Sequence, residues 1–329
     1  MRDHLPYKMS EKRLLYIDKL KAVAMLLVVW GHTMYFCMYH EQAGISDPVL
    51  SIICTFHVPL FFFLSGVVIA TPPHFRKFLS KARKFLVPML LVGTVNAVLI
   101  GRVAEFFLDS GHNGYWYLLT LTEFYLLAVP FRYCKGLFDV PLALLIWLAA
   151  CFATRFHGTV FSVLNIGAIF AYWPYFIIGH FCRKYSVLDH AKGRPWLAAV
   201  FFLAYLALAI ILLPRLNQMP FVLEYVLALL AIAALVVLFS HFSDSRTFPD
   251  RQLLFIGNST LDIYIYHYFF IRFINLEFLK AQSIPVEMAV TATLAVIIVY
   301  CSIFAGKFVK LLISKSGFPA FYRNEQKKG

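Results

Sequence analysis

Long apolar runs separated by short polar intervals recur along the whole chain. Ten can be placed, at approximately 20–39, 50–70, 85–107, 115–131, 137–154, 159–182, 196–213, 220–242, 252–274 and 285–306. Each is close to the ~20 residues that carry an α-helix across ~30 Å of hydrocarbon. The pattern predicts an all-α polytopic integral membrane bundle of about ten transmembrane helices. The intervals at 40–49, Asp109–Gly114 and Pro214–Pro220 are short and bear Gly, Asn or Pro. Between Thr71 and Pro88 lies the most basic one, read as an internal loop. No interval exceeds about a dozen polar residues, so any chemistry belongs inside the bundle or at its surface. The expected organisation is a basic N-terminal segment (1–19), a transmembrane domain (20–313) and a basic tail (314–329).

Charge adds a topology. Hydrophobic residues make up 61% of the 329 and charged ones only 14%, where a soluble chain carries roughly a quarter. Mean hydropathy is +0.73. Of the 30 Lys and Arg, 25 fall before, between or after the spans on the side of the N-terminus. The other five are Arg102, Arg155, Arg215, Arg272 and Lys280. That asymmetry predicts both termini inside. It also accounts for the net charge of +13 without nucleic acid, which is not expected as a partner; membrane lipids are. The six cysteines form no C-x-x-C pair and read as small core residues, with no metal site. The first apolar stretch is expected to act as an uncleaved anchor.

Polar residues inside the spans are the candidate chemistry, because ionisable groups are costly there. In D-K-L-K-A-V-A-M-L-L-V-V-W-G-H (18–32), helical spacing puts Lys21 ~20° and Asp18 ~40° from His32 on one face, with Lys21 ~16 Å away along the axis. His32 is either a general base or nucleophile or a packing group bonded across helices. In the fourth span Trp116 and Glu123 share a face, with Tyr117 beside them near the outer interface. Glu123 lies mid-span and calls for a histidine or lysine partner. In the ninth span Thr260, Tyr264 and His267 fall on one face. His267 lies ~22 Å deep, against ~18 Å for His32; it either binds an acceptor or hydrogen-bonds in the core. Arg76, Lys77, Lys81, Arg83 and Lys84 form a basic cluster suited to lipid headgroups or to a phosphate.

These motifs occur in a recognisable order: D-x-x-K-x10-H (18–32), H-V-P-L-F-F-F-L-S-G (57–66), K-A-R-K-F-L-V-P (81–88), W-Y-L-x-x-L-x-x-F-Y-L-L (116–127) and S-T-L-x-I-Y-x-x-H (259–267). Together they resemble the membrane acyltransferase 3 family, in particular its fucose-4-O-acetylase-like branch of bacterial enzymes, over roughly 10–310. The resemblance implies transfer of an acyl group, usually acetyl, from cytoplasmic acyl-CoA to a sugar hydroxyl of a surface or lipid-linked glycan. It also implies an inner-membrane location. Lys21, where many members have arginine, and His32 become the expected essential groups, with Glu123 a further catalytic candidate. Lys81, Arg83, Lys84 and Arg76 become candidates for holding acetyl-CoA. Trp116, Tyr117, His267 and Tyr264 are candidates for the acceptor. Ser65 and Gly66 read as a small-residue turn that admits a helix or a ligand.

Two other classes compete. A glycan exporter also needs a multi-span bundle with internal polar groups, but has no use for a basic mouth aligned with a histidine on one helix. A non-catalytic assembly partner would tolerate loss of both Lys21 and His32.

Overall fold

The computed structural model describes residues 14–42, 47–69, 71–109, 114–134, 136–156, 158–191, 193–212, 220–242 and 247–315. The basic lead-in before Leu14, the tail beyond Lys315 and the loop 213–219 lie outside them. Among the described residues every regular element is a helix.

In chain order these are α1 (Leu15–His32), a π-helical extension (Thr33–Met38), α2 (Pro48–Val68), α3 (Phe75–Leu99) and α4 (Val103–Leu108). Next come α5 (Trp116–Leu127), α6 (Asp139–Ala153), α7 (Thr159–Val163), α8 (Ile166–Lys184), α9 (Val187–Ala191) and α10 (Trp196–Leu212). The chain closes with α11 (Phe221–His241), α12 (Phe248–Asn258), α13 (Thr260–Ile271) and α14 (Ile284–Lys315). Seven segments are long and apolar enough to cross a membrane: Leu15–Met38, Pro48–Val68, Phe75–Leu99, Gly136–Ala153, Thr159–Lys184, Phe221–His241 and Ile284–Leu312. The chain is a multi-pass helical membrane protein.

The other three expected spans take shorter forms. Residues 115–131 give only the twelve residues of α5 before a 3-10 turn at Val129–Arg132, because Pro130 cannot donate the helix hydrogen bond. The run 252–274 is split into α12 and α13 at Ser259. The α10 helix is apolar but only 17 residues long. A further difference is that 71–88 is not a loop. Pro72 and Pro73 precede α3, and no breaker follows until Pro88, which the helix incorporates.

Large apolar side chains are left bare on the periphery: Leu91, Val95, Val98 and Leu99 of α3, Leu144, Leu145 and Leu148 of α6, and Phe202, Leu203, Ile210 and Ile211 of α10. Exposed apolar surface on that scale marks a lipid-facing surface in a multi-pass protein. By contrast α1, α2, α8 and α13 supply much of the buried core. The α2 and α8 helices cross closely because both present glycine. A Cβ on Gly66 would sit 1.9 Å from the Phe176 carbonyl oxygen, and one on Gly179 would sit 2.1 Å from that of Phe63. Ser65 and Gly66 lie within α2, and the small residue there serves helix contact. Gly257 does the same for α12 against the backbone of Asp18 in α1. Lys19 is buried beside that crossing, 2.8 Å from Asp250 and donating to the Phe242 carbonyl.

Candidate functional site

Lys21, Met25, Val28 and His32 recur at intervals of four, three and four residues, one stripe of α1. Met25, Val28 and His32 line a pocket. Its opposite wall is His57, Val58 and Phe61 of α2; Trp116 and Tyr117 of α5 and Tyr264 of α13 complete it. Beyond the pocket, Lys21 pairs with Asp18 at 3.3 Å.

His32 closes α1 where the backbone passes into π-helix, a form found mostly as single turns and often at functional sites. Thr33 Oγ1 donates back to the Val29 carbonyl at 2.8 Å, and the Cys37 carbonyl accepts from Leu276 N–H at 2.7 Å. The end of α1 is thus held on both sides of the histidine.

The ring of His267 lies 2.9 Å away, its Nε2 facing His32 Nδ1. The protons can be placed from chemistry. His267 Nδ1 is 3.0 Å from the Ile263 carbonyl oxygen, which can only accept, so Nδ1 carries hydrogen and Nε2 is a bare lone pair. His32 must then donate through Nδ1, and its own Nε2 is left unprotonated. No described residue bonds to that nitrogen.

Two tyrosines fix α13 against α5. Tyr264 Oη donates to the Gly114 carbonyl at 3.1 Å and accepts from Tyr117 N–H at 3.3 Å. Tyr115 Oη donates to the Ile265 carbonyl at 3.1 Å. The Tyr117 hydroxyl meets Ser65 Oγ at 3.0 Å, and Trp116 stacks on Tyr172 at 5.5 Å. So the structure brings His32, Trp116, Tyr117, Tyr264 and His267 together, with His267 behind His32 and not on the pocket wall.

Glu123 is not brought there. It lies seven residues, ~10 Å of helix, beyond Trp116; it does not line the pocket, and neither carboxylate oxygen has a hydrogen-bond partner. The histidine or lysine partner expected for it does not face it.

The basic cluster separates into two faces. Lys77, Lys81 and Lys84 repeat at four and three residues along α3, while Arg76 and Arg83 sit ~100° round the helix from them. Lys81 is half-buried, with Nζ 4.5 Å from the Tyr125 ring, and the charges of Lys84, Lys21 and Lys77 act on it. Arg76, Arg83 and Lys84 are exposed. Lys21 and Lys81 therefore form the inward-facing part of the basic mouth.

His57 was given no role by the sequence pattern, yet it is on the pocket wall. Its signal was present: it is one more ionisable residue inside a span. Among the described residues no group of three or more His, Cys, Asp or Glu is placed to hold a metal.

A family model described as an acyltransferase domain, acyltransferase 3, matches residues 14–310. The chain belongs to the membrane acyltransferase 3 family. That match covers α1 through most of α14 and so includes the whole pocket. No curated protein and no solved structure gives a significant match. The protein is a multi-pass membrane acyltransferase, and the pocket around His32 is its candidate active site.

Proposed function

We propose that this acyltransferase moves an acyl group, acetyl in the simplest case, from acyl-CoA to a hydroxyl of a cell-surface or lipid-linked sugar. The reading places both termini in the cytoplasm of a bacterium and the bundle in its inner membrane. The observation that carries it is the α1 stripe: a cation at Lys21, two apolar residues on the pocket wall, and a histidine whose Nε2 lone pair is open.

In this mechanism Lys21 and Lys81, with Lys84, hold the anionic nucleotide end of the donor. The pantetheine arm runs past Met25 and Val28 and brings the thioester to His32. The acceptor hydroxyl gives its proton to His32 Nε2 as its oxygen attacks the thioester carbonyl carbon. Tyr117, whose oxygen can accept from Ser65 Oγ–H, turns its own O–H to the developing oxyanion. Collapse of the tetrahedral species breaks the C–S bond, and the thiolate leaves and takes the proton from His32. His267 holds the His32 tautomer throughout. General-base catalysis contributes typically ~10²–10⁴-fold.

The test is transfer of labelled acetyl from acetyl-CoA to glycan by the purified full-length protein in lipid nanodiscs. Wild type should transfer, and His32→Ala should lose at least ~100-fold while still binding acetyl-CoA. Absence of both transfer and CoA release in wild type, with glycan flux surviving in His32→Ala, would overturn the enzyme reading in favour of an exporter.

A further inference from the structure

We infer that His57 is a binding residue for the acyl donor, its Nε2 accepting a hydrogen bond from the amide N–H of pantetheine nearest the sulfur. This rests on the acyl-CoA reading above and specifies how the thioester is brought into register with His32.

The protonation of His57 follows from its own helix. Nδ1 lies 2.8 Å from the Ile53 carbonyl oxygen, so it carries the hydrogen, and Nε2 on the opposite ring edge is a bare acceptor. The ring is on the pocket wall, no described residue bonds to Nε2, and that nitrogen is not among the sealed, unpartnered polar atoms of the bundle. A mostly apolar cleft in a membrane thus holds an open lone pair that the attack on the thioester does not use. A ligand that fills the cleft has to supply an N–H or O–H there or pay for desolvating it.

Depth selects which ligand. The α1 and α2 helices run in opposite directions from a short connection, and the Ile53 side chain would touch a Cβ on Gly31 at 3.4 Å. His57 is four residues further along α2, so it stands about one helical turn, ~5 Å, from the level of Gly31 toward Lys21. That is the side from which the donor arrives. In an acyl-CoA whose carbonyl carbon is at His32, the first amide nitrogen is three bonds beyond the sulfur, a span of about one helical turn, ~5 Å. The acceptor hydroxyl, approaching His32 from the opposite end, does not need to pass His57.

The experiment compares binding of acetyl-CoA with that of an analogue in which this one amide is replaced by an ester, which keeps the shape and removes the N–H. Full-length protein in nanodiscs is titrated calorimetrically. Wild type should bind acetyl-CoA about tenfold more tightly than the ester, the worth of one hydrogen bond. In His57→Phe the ratio should fall to near one, and in His57→Gln, whose amide oxygen still accepts, part of it should return. Equal affinities in wild type, or a ratio that survives in His57→Phe, overturns the inference while leaving acyl transfer intact. Failure of acetyl-CoA to bind wild type at all overturns the donor assignment itself.

Discussion

His32 Nδ1 donates to His267 Nε2 across 2.9 Å, and His267 in turn donates to the Ile263 carbonyl one helical turn back. A backbone oxygen in α13 thereby decides which nitrogen of a histidine in α1 is free to take a proton. Nothing in this chain of bonds requires His267 to touch substrate; in the proposed mechanism it is a positioning residue.

Replacing His267 should therefore lower kcat and leave acetyl-CoA affinity unaltered. His267→Leu removes the acceptor, so His32 loses its fixed tautomer and the rate should drop by ~10–100-fold, the usual worth of a group that orients a reacting histidine. His267→Gln offers an amide oxygen in the same direction and should restore part of the rate. Single-turnover rates set against separately measured acetyl-CoA affinity check this; a change confined to affinity would contradict it.

The basic mouth should govern donor affinity. Lys21→Ala and Lys81→Ala should each raise KM for acetyl-CoA about tenfold and flatten its salt dependence, because each removes a cation that in the proposed mechanism faces the nucleotide phosphates. Arg83→Ala, on the other face of α3, should change KM less than twofold. Initial rates across an ionic-strength series distinguish the two groups.

The α2–α8 crossing should not tolerate a single methyl. Gly66→Ala forces a Cβ into the Phe176 carbonyl, and Gly179→Ala into that of Phe63; backbone cannot yield as a side-chain tip can. Each should cost ~1–3 kcal/mol or more, seen as a lowered thermal midpoint in detergent. Gly167→Ala is the internal control: it lies in the same α8 with nothing within 4 Å of the added atom, and should be neutral or stabilising by up to ~1 kcal/mol.

Lys19 should behave as a structural charge. Its ammonium is buried against Asp250 at 2.8 Å, so Lys19→Met removes the buried cation of that ion pair and should cost ~3–5 kcal/mol. Adding Asp250→Asn to that variant should recover much of the loss, since the negative charge facing the missing ammonium is gone while the cap on Thr247 keeps an oxygen. Chemical denaturation of the two variants measures the recovery.

Several features of this protein follow from the sequence alone because they need only the helical period and the cost of charge in hydrocarbon. Apolar runs of about twenty residues make it a helical membrane protein in any packing. The spacing of Lys21, Met25, Val28 and His32 puts them on one stripe of any α-helix, so the line from cation to imidazole was legible before any neighbour was known. The same holds for Tyr264 and His267 on α13. What the period cannot supply is the identity of a partner on another helix. His267 stood equally for acceptor binding or core bonding until α13 was seen to dock on the end of α1. Glu123 shares a face with Trp116, yet that face leaves the pocket within two turns. Arg76 and Arg83 belong to the basic run but point ~140–160° away from Lys81. His57 gained a role only when the glycine-lined approach of α2 to its neighbours set its depth opposite Val28. Sequence determines which residues lie along one helix; only the packing of helices against one another determines which lone pair is left open, and to what.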